Sequence, residues 1–174
     1  GFSGSASTVF IGGYGNARQA VGEIDEVRIW NTARSADDIN INHDQHISTS
    51  QTGLVANYSF NNVVNGTVED LSGNANTVYL GATVDGDASE PTAVSQSGKV
   101  LTLDGTNDIV IVPDDASLNF GGSGSFTLEG WVKSGSSASD QRIFFKGNGG
   151  SGQSYSLMLK DGKAQARFDD SGGA

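Results

Sequence analysis

The sequence predicts an all-β protein, an antiparallel β-sandwich with one short helix. Of its 174 residues, 25 are Gly and only two are Pro, and Ser, Thr, Asn and Asp are abundant. Short segments in which apolar and polar residues alternate recur along the chain, with turn-forming residues at roughly every tenth position. Many short strands joined by polar turns favour a sandwich of the jelly-roll kind, because each strand buries one face.

The first segment of the chain contains two predicted strands. Thr8–Gly12 is short and apolar, and Ile24–Trp30 alternates in the manner of a half-buried strand. The alternation places on one face Asp25, Val27 and Ile29, and on the other Ile24, Glu26, Arg28 and Trp30. Because Glu26 and Arg28 share a face, we expect them to form an ion pair at the surface.

A helix of about two turns is predicted over 36–42. Ser35 suits the N-cap, and Asp38 three residues later suits the positive end of the helix dipole. The polar residues 43–53 that follow predict a linker.

A second series of strands begins after the linker. Phe126–Lys133 has the clearest alternation, with Glu129 and Trp131 on its polar side. The predicted strands are Leu54–Phe60, Val78–Leu80, Lys99–Leu103, Asp108–Val112, Phe126–Lys133, Gln141–Phe145, Ser154–Leu159 and Lys163–Phe168. Residues 69–76 and 85–97 are predicted as loops.

The charge and the cysteine content exclude several function classes. Ten basic and twenty acidic residues give a net charge of −10, which argues against nucleic acid and anionic membrane surfaces as partners. The chain has no Cys, so disulfides and thiolate metal sites are excluded. No apolar run approaches the ~20 residues that span a bilayer, and we expect no membrane insertion.

Several motifs resemble the LamG-like, concanavalin A-like sandwich domains of bacterial surface proteins. Gly22–Trp30 with 33–39 is similar to the closing part of such a domain. The opening part is matched by 53–60, 70–76, 103–112 and 125–132. The resemblance implies a jelly-roll sandwich, but the order of the parts is inverted, and the family's middle hairpin has no counterpart.

The inverted order predicts three segments. Residues 1–42 are closing strands, 43–53 a linker, and 54–174 opening strands of a LamG-like sandwich. Three arrangements follow: the chain spans the end of one domain and the start of the next, its two parts pack on each other as a permuted domain, or each part completes a neighbouring copy by strand exchange. Other copies or neighbouring domains of the same protein are therefore expected partners.

The resemblance implies a non-catalytic binding or adhesion module of a large secreted or surface protein, at an extracellular location. Glycans and surface proteins are the expected ligands. The alternative is a self-assembling subunit of an extracellular filament or matrix.

Catalysis is not expected, although related laminarinase-type hydrolases carry a Glu-x-Asp-x-x-Glu strand. Glu23 and Asp25 match its first two positions, but the third falls on Arg28. Retaining hydrolysis requires two carboxyl groups, and a guanidinium stays protonated.

Calcium is the predicted cofactor. The resemblance implies Asp25 as a ligand, and the oxygen-rich turns suggest Asp70, Asp104 and Asp108, since Ca²⁺ takes six to eight oxygen ligands. The same residues are equally suited to stabilise turns by local hydrogen bonds.

Aromatic side chains are candidates for stacking on sugars. Trp30 and Trp131 lie on predicted strands, and we expect them to pack in the core or on a sheet. Tyr14, in a Gly-rich loop, is the predicted ligand-binding residue.

Overall fold

A computed structural model of the chain describes residues 7–13, 18–81, 91–94, 99–120, 124–136, 140–147 and 154–169. The strands are β1 Val9–Ile11, β2 Val21–Trp30, β3 Leu54–Tyr58, β4 Val63–Val64, β5 Thr67–Val68, β6 Val78–Leu80, β7 Thr92–Val94, β8 Val100–Asp104, β9 Val110–Val112, β10 Thr127–Ser134, β11 Asp140–Lys146, β12 Ser154–Lys160 and β13 Lys163–Asp169. Helix α1 is Ala36–Asn42, and a 3₁₀ turn is Ala116–Leu118. The predicted all-β class with one short helix is confirmed.

The strands form two antiparallel sheets. The larger sheet has the order β13-β12-β11-β1-β9-β6-β5-β4, and the smaller has β10-β2-β8-β7. In the smaller sheet β2 pairs along one side with β10, and its other side is shared by β8 and β3. A long strand such as β2 can pair with two short strands in succession along one edge, because each short strand needs only four or five paired residues.

The core between the sheets contains residues from both ends of the chain. Val9, Ile11, Ile24, Val27 and Ile29 belong to one buried cluster. Its largest members from later in the chain are Tyr58, Phe60, Leu101, Leu103, Leu118, Ile143 and Phe144. Burial of an apolar side chain of this size stabilises the fold by about 1.5–3 kcal/mol.

The segments 1–42 and 54–174 contribute to both sheets. β1 lies between β9 and β11, and β2 lies between β10 and the pair β8 and β3. Of the three predicted arrangements, this pairing corresponds to the one in which the two parts pack on each other. The limits 1–42, 43–53 and 54–174 as domain boundaries stay a prediction.

The predicted linker 43–53 packs against the sheet. Ile47 is buried in a small cluster with Trp30 and Leu54, on the opposite face of β2 from the main core. One apolar residue in a polar segment carries little periodicity, so the sequence did not reveal this contact.

Three short strands were missed by the sequence analysis. β7 lies within the predicted loop 85–97, and β4 and β5 form a hairpin around Asn65 and Gly66, which have φ values of 50° and 70°. An Asn-Gly pair with both residues left-handed is the preferred two-residue hairpin turn. The turn residues were therefore a usable signal for this hairpin.

Candidate functional site

A β-bulge in β2 decides which side chains reach the outer face of the smaller sheet. Glu26 has a φ of 48°, and Glu26 and Val27 together oppose Gly130 of β10. The extra residue reverses the alternation. Ile24 therefore joins Val27 in the core, and the predicted grouping of Ile24 with Arg28 is wrong.

Arg28 is the centre of the ion cluster on this outer face. Its side chain is 2 % exposed, and one terminal nitrogen lies 2.7 Å from Oε2 of Glu26. The other donates to the carbonyl of Asn42 at 2.9 Å, and a further bond goes to the carbonyl of Gln45. The expected pair with Glu26 is present, but it is buried and holds the end of α1 on the sheet.

Helix α1 begins with a capping box. The Ser35 hydroxyl accepts from the Asp38 N–H at 3.1 Å, and the Asp38 carboxylate accepts from the Ser35 N–H at 3.3 Å. The predicted N-cap is confirmed, and the helix has the predicted bounds. Because α1 is anchored at both ends, it places Ile39 and His43 beside β10.

A pocket of about 300 Å³ lies between α1 and β10. Its lining is Glu26, Arg28, Ile39, His43, Leu128, Glu129, Gly130, Trp131 and Leu157. Trp131 is 51 % exposed, and its indole N–H donates to the His43 carbonyl at 2.7 Å. The ring is therefore fixed in orientation while much of its surface remains open to a ligand.

The charged side chains around this pocket form ion pairs of opposite sign. Glu129 lies 3.7 Å from Arg28 and 3.7 Å from Arg34, and Glu26 is paired with Arg28. Among the described residues, Oε1 of Glu129 is buried without a hydrogen-bond partner. Its nearest cation is Nε of Arg34 at 3.7 Å, so an ion pair offsets the burial of this oxygen. His46 Nδ1 is 2.8 Å from the second oxygen of Glu26.

A second pocket of about 200 Å³ lies on the other side of Trp131. It is lined by Glu23, Ile24, Asp25, Val100, Trp131, Val132 and Lys133. Burial raises the pKa of Asp25 to about 6, although a hydrogen bond from the Glu26 N–H opposes the shift. The two pockets make Trp131 a ridge between adjacent grooves.

The four aspartates predicted to bind calcium lie in three separate places. Asp104 pairs with Val21 of β2. Val21 lies four residues before Asp25 on the same strand, so Asp104 and Asp25 are separated by roughly 13 Å along the strand direction. Asp70 lies beyond β3 on the far side of β2. Within the described part of the chain, no three His, Asp or Glu side chains gather into a group that could hold a metal.

Asp70 organises the turn that contains it. Its Oδ1 accepts from the N–H groups of Asn57 and Ser72, both at 2.9 Å, and its Oδ2 accepts from the Ser72 hydroxyl at 2.8 Å and the Asn76 N–H at 3.0 Å. A carboxylate has about four acceptor positions, so Asp70 is fully used by protein donors. Its assignment as a calcium ligand stays a prediction.

Asp104 and Asp108 are tied to the turn between β8 and β9. Asp104 accepts from the Thr106 N–H at 2.7 Å, and Asp108 accepts from the Asp104 N–H. Burial is the largest cause of the raised pKa of Asp108. The aspartates thus do not fit a shared calcium site. Calcium binding stays a prediction of the sequence, and equal melting temperatures in Ca²⁺ and in chelator would contradict it.

The two tryptophans, which were predicted to pack in the core or on a sheet, differ in their exposure. Trp30 is buried as expected, but Trp131 projects from the outer face of β10. The sequence already indicated that Trp131 is exposed, because it shares the polar side of its strand with Glu129 and Lys133. Tyr14, the predicted ligand-binding residue, lies outside the described residues.

The described residues thus form an antiparallel β-sandwich with two grooves at Trp131. None of their helices has the length and apolar character required to cross a membrane. No protein-family model, curated protein or solved structure matches this chain.

Proposed function

We propose that the chain is a non-catalytic extracellular binding or adhesion module of the LamG-like kind, and that it binds glycans at Trp131. The observation that carries the proposal is the half-exposed, fixed indole between two grooves. Aromatic rings bind the apolar C–H faces of sugars, and nearby acceptors bind their hydroxyl groups. Glu129, which lines the larger groove, supplies such an acceptor.

The two grooves favour an oligosaccharide over a single sugar. One groove has about 300 Å³ and the other about 200 Å³, and they share Trp131 as a common wall. A chain of sugars crossing the indole would fill both grooves, and each unit would add contact area without a new ordering cost for the protein.

The charge distribution favours a neutral glycan. Glu26 and Glu129 are balanced by Arg28 and Arg34, so the larger groove has no excess of either sign. The net charge of −10 also disfavours uronate- or sialate-rich polymers.

The carboxylates of the larger groove support recognition over hydrolysis. Glycoside hydrolysis uses two carboxyl groups, one as an acid and the other as a nucleophile or base. Glu26 and Glu129, the two carboxyl groups that line the larger groove, are both ion-paired with Arg28. Charge pairing supports a recognition role for these carboxylates.

A glycan array tests the proposal. We expect the full chain to bind neutral oligosaccharides, Trp131→Ala to lose at least about tenfold in affinity, and Trp131→Phe to keep part of it, because aromatic stacking contributes about 0.5–1.5 kcal/mol beyond the burial of the ring. Val64→Ala, also at an exposed apolar residue but in the other sheet, serves as the control. A wild-type chain that binds no printed glycan, or a Trp131→Ala variant that binds as well, would contradict it.

The alternative function, a self-assembling subunit of an extracellular filament or matrix, is favoured by a separate observation. The last strand of the larger sheet, β13, has one side without a partner among the described residues.

A further inference from the structure

Asp25 presents an unpaired carboxylate to the smaller groove beside Trp131. It lines this groove together with Glu23, Trp131 and Lys133. Its Oδ1 accepts a hydrogen bond from the Glu26 N–H at 2.8 Å. Among the described residues, its Oδ2 has no hydrogen-bond partner, and Asp25 forms no ion pair. One charged acceptor of the groove is therefore left for a ligand.

The smaller groove carries one uncompensated negative charge. Nζ of Lys133 lies 3.2 Å from Oε2 of Glu23, so these two side chains form an ion pair with each other. Of the described side chains that line the groove, Asp25 is then the charged group without a partner. The net charge of −10 adds a long-range attraction for cations. The smaller groove thus differs from the larger one, whose carboxylates are paired with Arg28 and Arg34.

Strand register brings the Asp25 carboxylate and the Trp131 indole together. The two residues are directly opposite in the ladder of β2 and β10, and Trp131 is 51 % exposed. Directly opposite residues of an antiparallel pair share a face and have Cβ atoms about 4.5–5.5 Å apart. An aromatic face attracts a cation, and a carboxylate accepts its hydrogen bonds. The pair is therefore suited to an ammonium group.

A metal ion fits this groove less well than an ammonium group does. Ca²⁺ takes six to eight oxygen ligands, whereas an ammonium group donates only three hydrogen bonds. In the part of the chain that the structure describes, no three His, Asp or Glu side chains form a group that could hold a metal. One free carboxylate oxygen beside an aromatic ring favours an organic cation.

We propose that the sugar unit in the smaller groove carries a free amino group, which binds as an ammonium between the Asp25 carboxylate and the Trp131 indole. The inference rests on the proposed binding of glycans at Trp131 and names the chemical class of one unit. A sugar that stacks on the indole directs its equatorial substituents sideways, and Asp25 lies beside the indole on the neighbouring strand. The carboxylate also favours the protonated form of the amine.

The units in the larger groove remain neutral, in keeping with the paired charges there. An acetylated amine is uncharged, so in the smaller groove it gains neither the ion pair nor the cation–π contact. The expected ligand therefore combines neutral units with at least one unacetylated amino sugar.

A matched pair of oligosaccharides tests the inference on the full chain. Linear oligomers of glucosamine and of N-acetylglucosamine share a backbone and differ in the charge of the amine. Calorimetry at about pH 7, at low ionic strength and in chelator, should show that the wild type binds the glucosamine oligomer at least about fivefold more tightly. Asp25→Asn should reduce this preference below about twofold, because the amide is uncharged but keeps an oxygen for the Glu26 N–H. Asp161→Asn removes an equal charge at an exposed turn between β12 and β13 and should retain the preference.

Equal affinity of the wild type for the two oligomers would overturn the inference, as would a preference that persists in Asp25→Asn. A wild type that binds neither oligomer would also overturn it. Circular dichroism establishes that each variant is folded. The proposed function is judged separately, by neutral glycans on the array and their dependence on Trp131. Neutral binding that depends on Trp131, without a preference for the amine, would therefore contradict this inference alone.

Discussion

Asp25 lies at the β2 bulge, where its carboxylate is partly withdrawn from water and accepts one hydrogen bond from the Glu26 N–H at 2.8 Å. Burial raises its pKa to about 6, above the usual value for an aspartate in an unfolded chain. The folded protein therefore holds this proton more tightly than the unfolded chain does. Stability from this group is greatest at acid pH and is lost as the pH rises through about 4 to 6.

Asp25→Asn should stabilise the protein at about pH 7.5 and have little effect at about pH 4. The amide removes the cost of a desolvated charge and keeps an oxygen for the Glu26 N–H. Because the carboxylate is only about half buried, we expect a gain of about 1 kcal/mol at the higher pH. Urea unfolding of the wild type and the variant at the two pH values measures this gain in stability. An equal gain at both pH values would contradict the assignment of the effect to the Asp25 carboxylate.

At the scale of elements, Arg28 connects β2, β10 and α1. It contacts Glu26 on its own strand, Glu129 on β10, and the carbonyls that end α1. A cation at the negative end of a helix is favourable, and the ion pairs compensate for its burial. The N-cap Ser35 was predicted from the sequence, but the tether at the end of the helix depends on residues distant in sequence.

Arg28→Met should destabilise the protein by about 3 kcal/mol, because it leaves Glu26 and Glu129 largely buried without their shared cation. Arg28→Lys keeps the charge but cannot reach all four acceptors with a single ammonium, so an intermediate loss is expected. Chemical denaturation of both variants measures their free energies of unfolding and checks that the methionine variant loses more stability than the lysine variant. A methionine variant within about 0.5 kcal/mol of the wild type would show that the tether contributes little.

At the scale of the whole molecule, the first two strands are integral to both sheets. β1 is flanked by β9 and β11, and β2 is flanked by β10 on one side and by β8 and β3 on the other. Removing either strand would divide a sheet and open the common core. The sandwich therefore depends on contacts between residues that lie more than a hundred positions apart, such as Val9 and Lys146.

We expect the chain to unfold in a single cooperative transition, since one buried cluster contains residues of both segments. In a Trp131→Phe variant, tryptophan fluorescence reports on Trp30 in the first segment alone, and far-ultraviolet circular dichroism reports on all strands. Their denaturation curves should coincide. Two separated transitions would indicate that the segments 1–42 and 54–174 unfold independently.

The sequence by itself determined the fold class, the helix with its cap, and most strand positions, because alternation and capping act between residues a few positions apart. It did not determine the faces of β2, because a single extra residue at Glu26 reverses the alternation, and the bulge is defined only against Gly130 of another strand. The four aspartates looked equivalent in sequence, yet donors brought by folding filled the oxygens of Asp70.

Only the tertiary structure placed Trp131 between two grooves and left Phe168 of β13 half exposed beside Phe126. Both features arise from where one sheet ends relative to the other, which is a property of long-range strand order. Local patterns state that a strand has an apolar face. They carry no information on what, if anything, lies over it.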